Sequence, residues 1–277
     1  MTDEISRLAA TAELLHTPCG EGHVAWRSWG SGPVLVLLHG GSGSWMHWLR
    51  NIPHFARDFR VLAPDSPGLG ESAMPPGDEP SPAAAAAPLR DGLRQILGER
   101  RAYHLCGFSF GANVAGHLAA LEGGHVRSLT LVGAASLGLP RPPLDLLKVR
   151  DKQGAERRAA NRENLARLMF HDAALIDDTA LDIQEHNTVH ARLRSRGYAS
   201  GDSLKQAVLR ARAPLAGIWG GRDAVAWPEV QARLDVLRAI DPGLLETIIP
   251  DAGHWVAYEA ADAFNAALRR VLEARAG

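Results

Sequence analysis

The chain has 277 residues, 46% hydrophobic and 22% charged, with a formal net charge of −1. That is enough apolar material for a large core and excludes a disordered chain, while the even charge gives no electrostatic reason to expect nucleic acid or an anionic membrane as partner. Two cysteines, Cys19 and Cys106, exclude a disulfide framework and a cysteine metal centre.

The opening residues Met1-Thr2-Asp3-Glu4 show no basic-then-apolar leader, and no apolar run nears the roughly 20 residues of a membrane span, so a cytoplasmic location is expected. Glu13-Leu14-Leu15-His16 and His23-Val24-Ala25-Trp26 flank Pro18-Cys19-Gly20-Glu21-Gly22 and read as an antiparallel hairpin at a sheet edge. Val34–Leu38 is the clearest buried strand. Residues 60–63, 102–106, 128–132, 215–219 and 245–249 follow as short apolar runs, the pattern of a parallel sheet covered on both faces. Helical segments are expected over 112–121, 228–240 and 259–274, with Pro228 in a first turn. The alanine run 83–87 between two prolines reads as a helix start or a surface loop. Strand–helix alternation predicts a doubly wound α/β fold. Residues 140–212 interrupt it with no strand, reading as a helical insertion with helices over 155–169 and 175–194. The expected division is an α/β core of residues 1–139 and 213–277 and a helical cap of 140–212.

Gly107-Phe108-Ser109-Phe110-Gly111 lies between a strand and a helix, the context in which Gly-x-Ser-x-Gly presents a nucleophilic serine on a sharp turn. A serine needs a base. His254, in Gly253-His254-Trp255 after the last strand, is the candidate, because catalysts gather at the C-terminal ends of the strands in open α/β sheets. Asp223, after the strand at 215–219, is the acid expected to orient it, with Asp251 and Asp65 as rivals. His39-Gly40-Gly41-Ser42 lets backbone N–H groups approach a ligand, so the N–H of Phe110 with that of Gly41 or Ser42 is the expected oxyanion hole. The loop Asp65-Ser66-Pro67-Gly68-Leu69-Gly70 reads as structural. Trp45, Trp48 and Trp255 flank these motifs and suggest an apolar acyl pocket, with Phe108 and Arg192 as further pocket candidates. The segment 140–212 holds 14 Lys and Arg against 10 Asp and Glu, a mild excess that a solvated helix face explains as well as an acidic substrate.

Together the motifs at His39, Asp65, Ser109, Asp223 and His254 resemble the α/β-hydrolase superfamily, in family order and over essentially the whole chain. The resemblance implies a mostly parallel eight-stranded sheet, helices on both faces, a cap after the sixth strand, and a triad of Ser109, Asp223 and His254. It implies a serine hydrolase of a small-molecule carboxylic ester or related acyl substrate, with no metal or organic cofactor. Serine at the nucleophile position departs from the aspartate branches, the haloalkane dehalogenases and epoxide hydrolases. Some stretches also look like the meta-cleavage-product hydrolases, which cut carbon–carbon bonds. Those enzymes usually carry asparagine where Phe108 stands, and use a cap arginine, for which Arg192, Arg194 and Arg196 are the candidates. A non-enzymatic ligand-binding protein on the same fold is the remaining alternative.

Overall fold

The computed structural model describes residues 2–98 and 102–275. Its strands are β1 Glu13–Cys19, β2 Gly22–Trp29, β3 Val34–Leu38, β4 Arg60–Pro64, β5 Tyr103–Phe108, β6 Val126–Val132, β7 Leu215–Gly220 and β8 Leu245–Ile249. They form one sheet in the order β1-β2-β4-β3-β5-β6-β7-β8. β2 is antiparallel to β1 and β4, and every other pairing is parallel. The expected hairpin stands at the sheet edge with a tighter turn than its loop residues suggested. Cys19 pairs with Gly22, so only Gly20 and Glu21 bridge the strands. Pro18 is accommodated within β1 because an edge strand has one side free of ladder bonds.

Side chains alternate across a strand, and this divides the core into two layers. Val34, Val36 and Leu38 of β3 pack with Leu89, Val114, Leu118 and Leu234. Leu35 and Leu37 pack on the other face with Ile52, Phe55, Phe264 and Leu268. All five residues of β3 are buried, which is why the strand reads as a continuous apolar run. The alanine run begins the helix Pro82–Leu97: Ser81 Oγ accepts the Ala84 N–H at 3.0 Å, and Pro82 takes the first turn, where its missing N–H costs nothing. The helix expected from Pro228 begins instead at Val230. The backbone before it is committed to a turn around Asp223, whose carbonyl accepts the N–H groups of Ala226 and Trp227 at 2.9 and 2.7 Å.

Between β6 and β7 the chain carries the helices Gly154–Asn164, Asp178–His190 and Ser203–Val208. The first runs on into a π-turn, Leu165–Met169. The second is shorter than its sequence suggested at both ends. Asp177 caps its start, accepting the Ala180 N–H at 2.7 Å. After His190 the N–H groups of Arg192 and Leu193 turn away to the Gly68 carbonyl, at 3.0 and 2.9 Å. Leu204 and Val208 of the third helix pack into the first core layer. Among the described residues no helix is long and apolar enough to cross a membrane.

Candidate active site

The parallel strands place their C-terminal loops along one edge, and three of these loops meet. Ser109 follows β5 directly and starts the helix Phe110–Glu122. Its backbone sits at φ +53°, ψ −115°, a conformation that costs a non-glycine residue roughly 1–3 kcal/mol and clusters at active sites. The turn is held because the Ser109 N–H donates to the Val132 carbonyl at 2.8 Å. The sharp turn also requires glycine on both sides. A side chain at Gly111 would run into the Leu38 and His39 carbonyls, and one at Gly107 would lie 2.8 Å from the Ala112 Cα.

His254 Nε2 lies 2.9 Å from Ser109 Oγ, and His254 Nδ1 lies 2.8 Å from Asp223 Oδ1. A carboxylate only accepts, so Nδ1 carries the imidazole proton and Nε2 offers its lone pair to the serine hydroxyl. Asp223 is fully buried, and its Oδ1 also accepts the Val225 N–H at 2.8 Å. The rival Asp251 is 80% exposed and faces Arg222. The rival Asp65 is committed to backbone donors, accepting the N–H groups of Trp45 and Glu71 at 2.8 and 3.0 Å. That loop is tied to the strand-end glycines through His39, whose Nε2 accepts the Ser66 N–H at 2.8 Å while Nδ1 donates to the Gly40 carbonyl at 2.8 Å. Complete burial lowers the His39 pKa, and both bonds suit its neutral form.

A cavity of about 590 Å³ opens over Ser109 and His254. Gly41, Ser42 and Phe110 line it beside the serine. Phe110 opens its helix, so its N–H has no intrahelical carbonyl to bond. A side chain at Gly41 would lie 3.3 Å from Phe110 Cβ, so the two loops are in close approach. Phe108 also borders the cavity, although its ring is 1% exposed and packs 5.0 Å from the His254 ring.

Four expected pocket residues are elsewhere, and one of them, Trp48, is fully buried against the Phe108 and Phe264 rings. Trp45 is buried against Trp29 and under the Arg27 guanidinium. Trp255 is fully buried, its ring against Tyr258 and its indole N–H donating to the His47 carbonyl at 2.9 Å. Arg192 hydrogen bonds to the Gly70 and Ser72 carbonyls, away from the cavity. The tryptophans beside the motifs turn into the core, which adjacency in sequence does not reveal. The walls come instead from residues with no motif. They include Leu144, Leu146 and Val149 of the strap after β6, Leu168 and Met169 of the π-turn, and Tyr198. His47 also lines the cavity, and its Nδ1 accepts the Gly40 N–H at 3.2 Å. Burial holds it neutral, well below the usual histidine pKa.

The loop that carries His254 is braced by one carboxylate. Glu259 accepts the N–H of Gly253 at 2.5 Å, of His171 at 2.9 Å and of Asp172 at 2.8 Å. His171 and Asp172 belong to the segment between β6 and β7, and so does Met169, whose carbonyl accepts the Trp255 N–H at 2.8 Å. Hydrogen bonds to a charged group contribute about 1.5–3 kcal/mol each, and these share one carboxylate. Glu259→Ala is therefore expected to destabilise the protein by about 2–3 kcal/mol, read by urea unfolding, and to slow turnover more than it weakens substrate binding. Unchanged stability together with unchanged kcat would remove this role.

The α/β-hydrolase fold family model matches residues 33–261. This chain belongs to that family. The chain is 33% identical over 248 residues to a dihydrolipoyllysine-residue acetyltransferase component of an acetoin cleaving system from Pseudomonas putida. That match takes in 84% of this chain and 62% of the relative, so the chain spans less than two thirds of that protein. It is 30% identical over 261 residues to a 2-hydroxy-6-oxo-6-phenylhexa-2,4-dienoate hydrolase from Burkholderia cepacia, covering 85% of this chain and 86% of the relative. Among solved structures, carboxylesterase CesB from Bacillus subtilis superposes with a TM-score of 0.73 at 20% identity, over 97% of this chain and 94% of that one. The chain is thus an α/β hydrolase with a dienoate hydrolase among its relatives and a carboxylesterase among the solved structures that share its fold.

Proposed function

We propose that this α/β hydrolase is a serine hydrolase of a carboxylic ester or related acyl substrate. The observation that carries the reading is the unbroken line Ser109–His254–Asp223, with contacts of 2.9 and 2.8 Å, under a cavity. Ser109 Oγ attacks the acyl carbonyl while its proton passes to His254 Nε2. Asp223 fixes the imidazole orientation and balances the imidazolium charge. The N–H groups of Phe110 and of Gly41 or Ser42 hold the oxygen that becomes negative. His254 returns its proton to the leaving alcohol, leaving an acyl-serine. Water then attacks with His254 as base again, releasing the acid and restoring Ser109. The segment 140–212 serves as the cap, since it supplies most of the apolar wall. The steps need neither metal nor organic cofactor.

The test is a p-nitrophenyl ester panel with fluorophosphonate labelling. Turnover of at least one ester and stoichiometric label on Ser109 are expected. Neither turnover nor label would overturn the reading and favour a ligand-binding protein on this fold. Similarity to the dienoate hydrolase supports a second reading, hydrolysis of a carbon–carbon bond in a vinylogous diketone. A ring-cleavage dienone panel separates the two. Rapid ester turnover with no dienone turnover would remove the second.

A further inference from the structure

The wall of the cavity carries charge of one sign. Among the described residues lining it there is no aspartate or glutamate, and the charged side chains are Arg141 and Arg196. Arg141 comes from the strap after β6, and Arg196 from the turn Ser195–Ala199. Ser195 of the same turn packs onto Gly41, which brings Arg196 to within one residue of the proposed oxyanion loop. Neither arginine forms an ion pair with a carboxylate among the described residues. Arg158 of the same segment, by contrast, is ringed by Asp178, Asp182 and Glu185 at 2.8, 3.0 and 2.8 Å. Burial first, and then the charge of Arg141, lower the pKa of Arg196. The two guanidinium groups therefore repel each other at the partly open mouth of the cavity, and no carboxylate among the described residues pairs with either.

A cleft lined by one sign of charge concentrates ligands of the other, and guanidinium groups match the paired oxygens of carboxylate and phosphate. The rest of the wall mixes an apolar stretch, Leu144, Leu146, Leu168 and Met169, with uncharged polar side chains such as Asn164, Gln184 and Thr188. We infer that the substrate is an ester with an apolar stem ending in an anionic oxygen group, which Arg141 and Arg196 hold while Ser109 attacks the carbonyl. The inference rests on the ester-hydrolase reading and narrows its substrate class.

The experiment compares p-nitrophenyl hemiglutarate with the neutral p-nitrophenyl hexanoate, similar in length. The expected kcat/KM ratio favours the charged ester by about tenfold or more, and falls as added salt screens the arginines. Arg141→Gln combined with Arg196→Gln is expected to bring that ratio close to one. A ratio near one in the wild type, or one that survives the double substitution, overturns the inference. A second measurement does not need turnover: calorimetric binding of glutarate and of propyl phosphate to the Ser109→Ala protein, with and without the arginine substitutions. Binding that the substitutions abolish supports the site, and whichever ligand binds tells carboxylate from phosphate. Binding of neither, or binding indifferent to the substitutions, overturns it. Failure of the wild type to cut either ester would count against the ester reading, while calorimetry still decides the anion site.

Discussion

Ser109→Ala is expected to lower kcat on any accepted ester by a factor on the order of 10⁵. In the proposed mechanism the Ser109 hydroxyl is the atom that forms the acyl bond. His254 Nε2 faces Ser109 Oγ at 2.9 Å, so removing the oxygen leaves the base aimed at an empty position. A residual rate above background would come from the oxyanion donors and the cavity alone, which still bind and polarise the carbonyl. The fold is expected to survive. Alanine keeps the Cβ at a backbone already held by the Val132 carbonyl, so the urea midpoint should move little. Single-turnover and steady-state rates on the best ester of the panel provide the check. A variant that retains more than about a tenth of wild-type kcat would place the nucleophile elsewhere.

Asp223→Asn is the second large effect, with an expected loss of about 10⁴ in kcat. Asp223 Oδ1 accepts from both His254 Nδ1 and the Val225 N–H, in a fully buried position. An amide there has two orientations, and each is costly. With its nitrogen toward His254, it donates to Nδ1, forces the proton onto Nε2 and blocks transfer from Ser109. That orientation also sets two donors against each other at Val225. With its oxygen toward His254, the geometry survives, but the imidazolium loses its balancing charge and a buried NH₂ replaces Oδ2, which has no hydrogen-bond partner among the described residues. Either way Ser109 and His254 stay in place, so the loss falls on kcat. Asp251→Asn is the matched control: its carboxylate is exposed and should matter little. A large loss at Asp251 with none at Asp223 would reassign the acid.

Much of this site was legible because its parts obey local rules. The strand–Gly-x-Ser-x-Gly–helix sequence needs a strained serine and close-packed glycines, and residues 103–122 carry both requirements in order. Strand ends announce themselves by the polar residues that follow apolar runs, so Asp223 and His254 could be placed at the same edge as Ser109. The sheet was legible for the same reason, because buried parallel strands are short and uniformly apolar. What sequence did not reveal was direction. Trp45 and Trp255 flank site motifs but turn into the second core layer. Arg192 binds backbone carbonyls of the Asp65 loop. The wall residues Leu144, Leu168 and Tyr198 belong to a segment whose placement depends on long-range contacts, such as those of Leu193 and Trp255 with backbone carbonyls. Helix 228–240 began late for a related reason: the turn that positions Asp223 uses up the residues that would have opened it.

The brace at Glu259 ties the histidine loop to the segment that forms the cavity wall. Met169 stands in both roles, lining the cavity while its carbonyl holds Trp255 next to His254. If His254 is the base and the segment 140–212 the cap, as proposed, selectivity and speed are not independent properties. Exchanging the segment 140–212 for one from a related hydrolase would import a new preference and loosen the base at the same time. A chimera built that way should be slow even toward substrates it accommodates well, until the contacts at residues 169, 171 and 172 are restored.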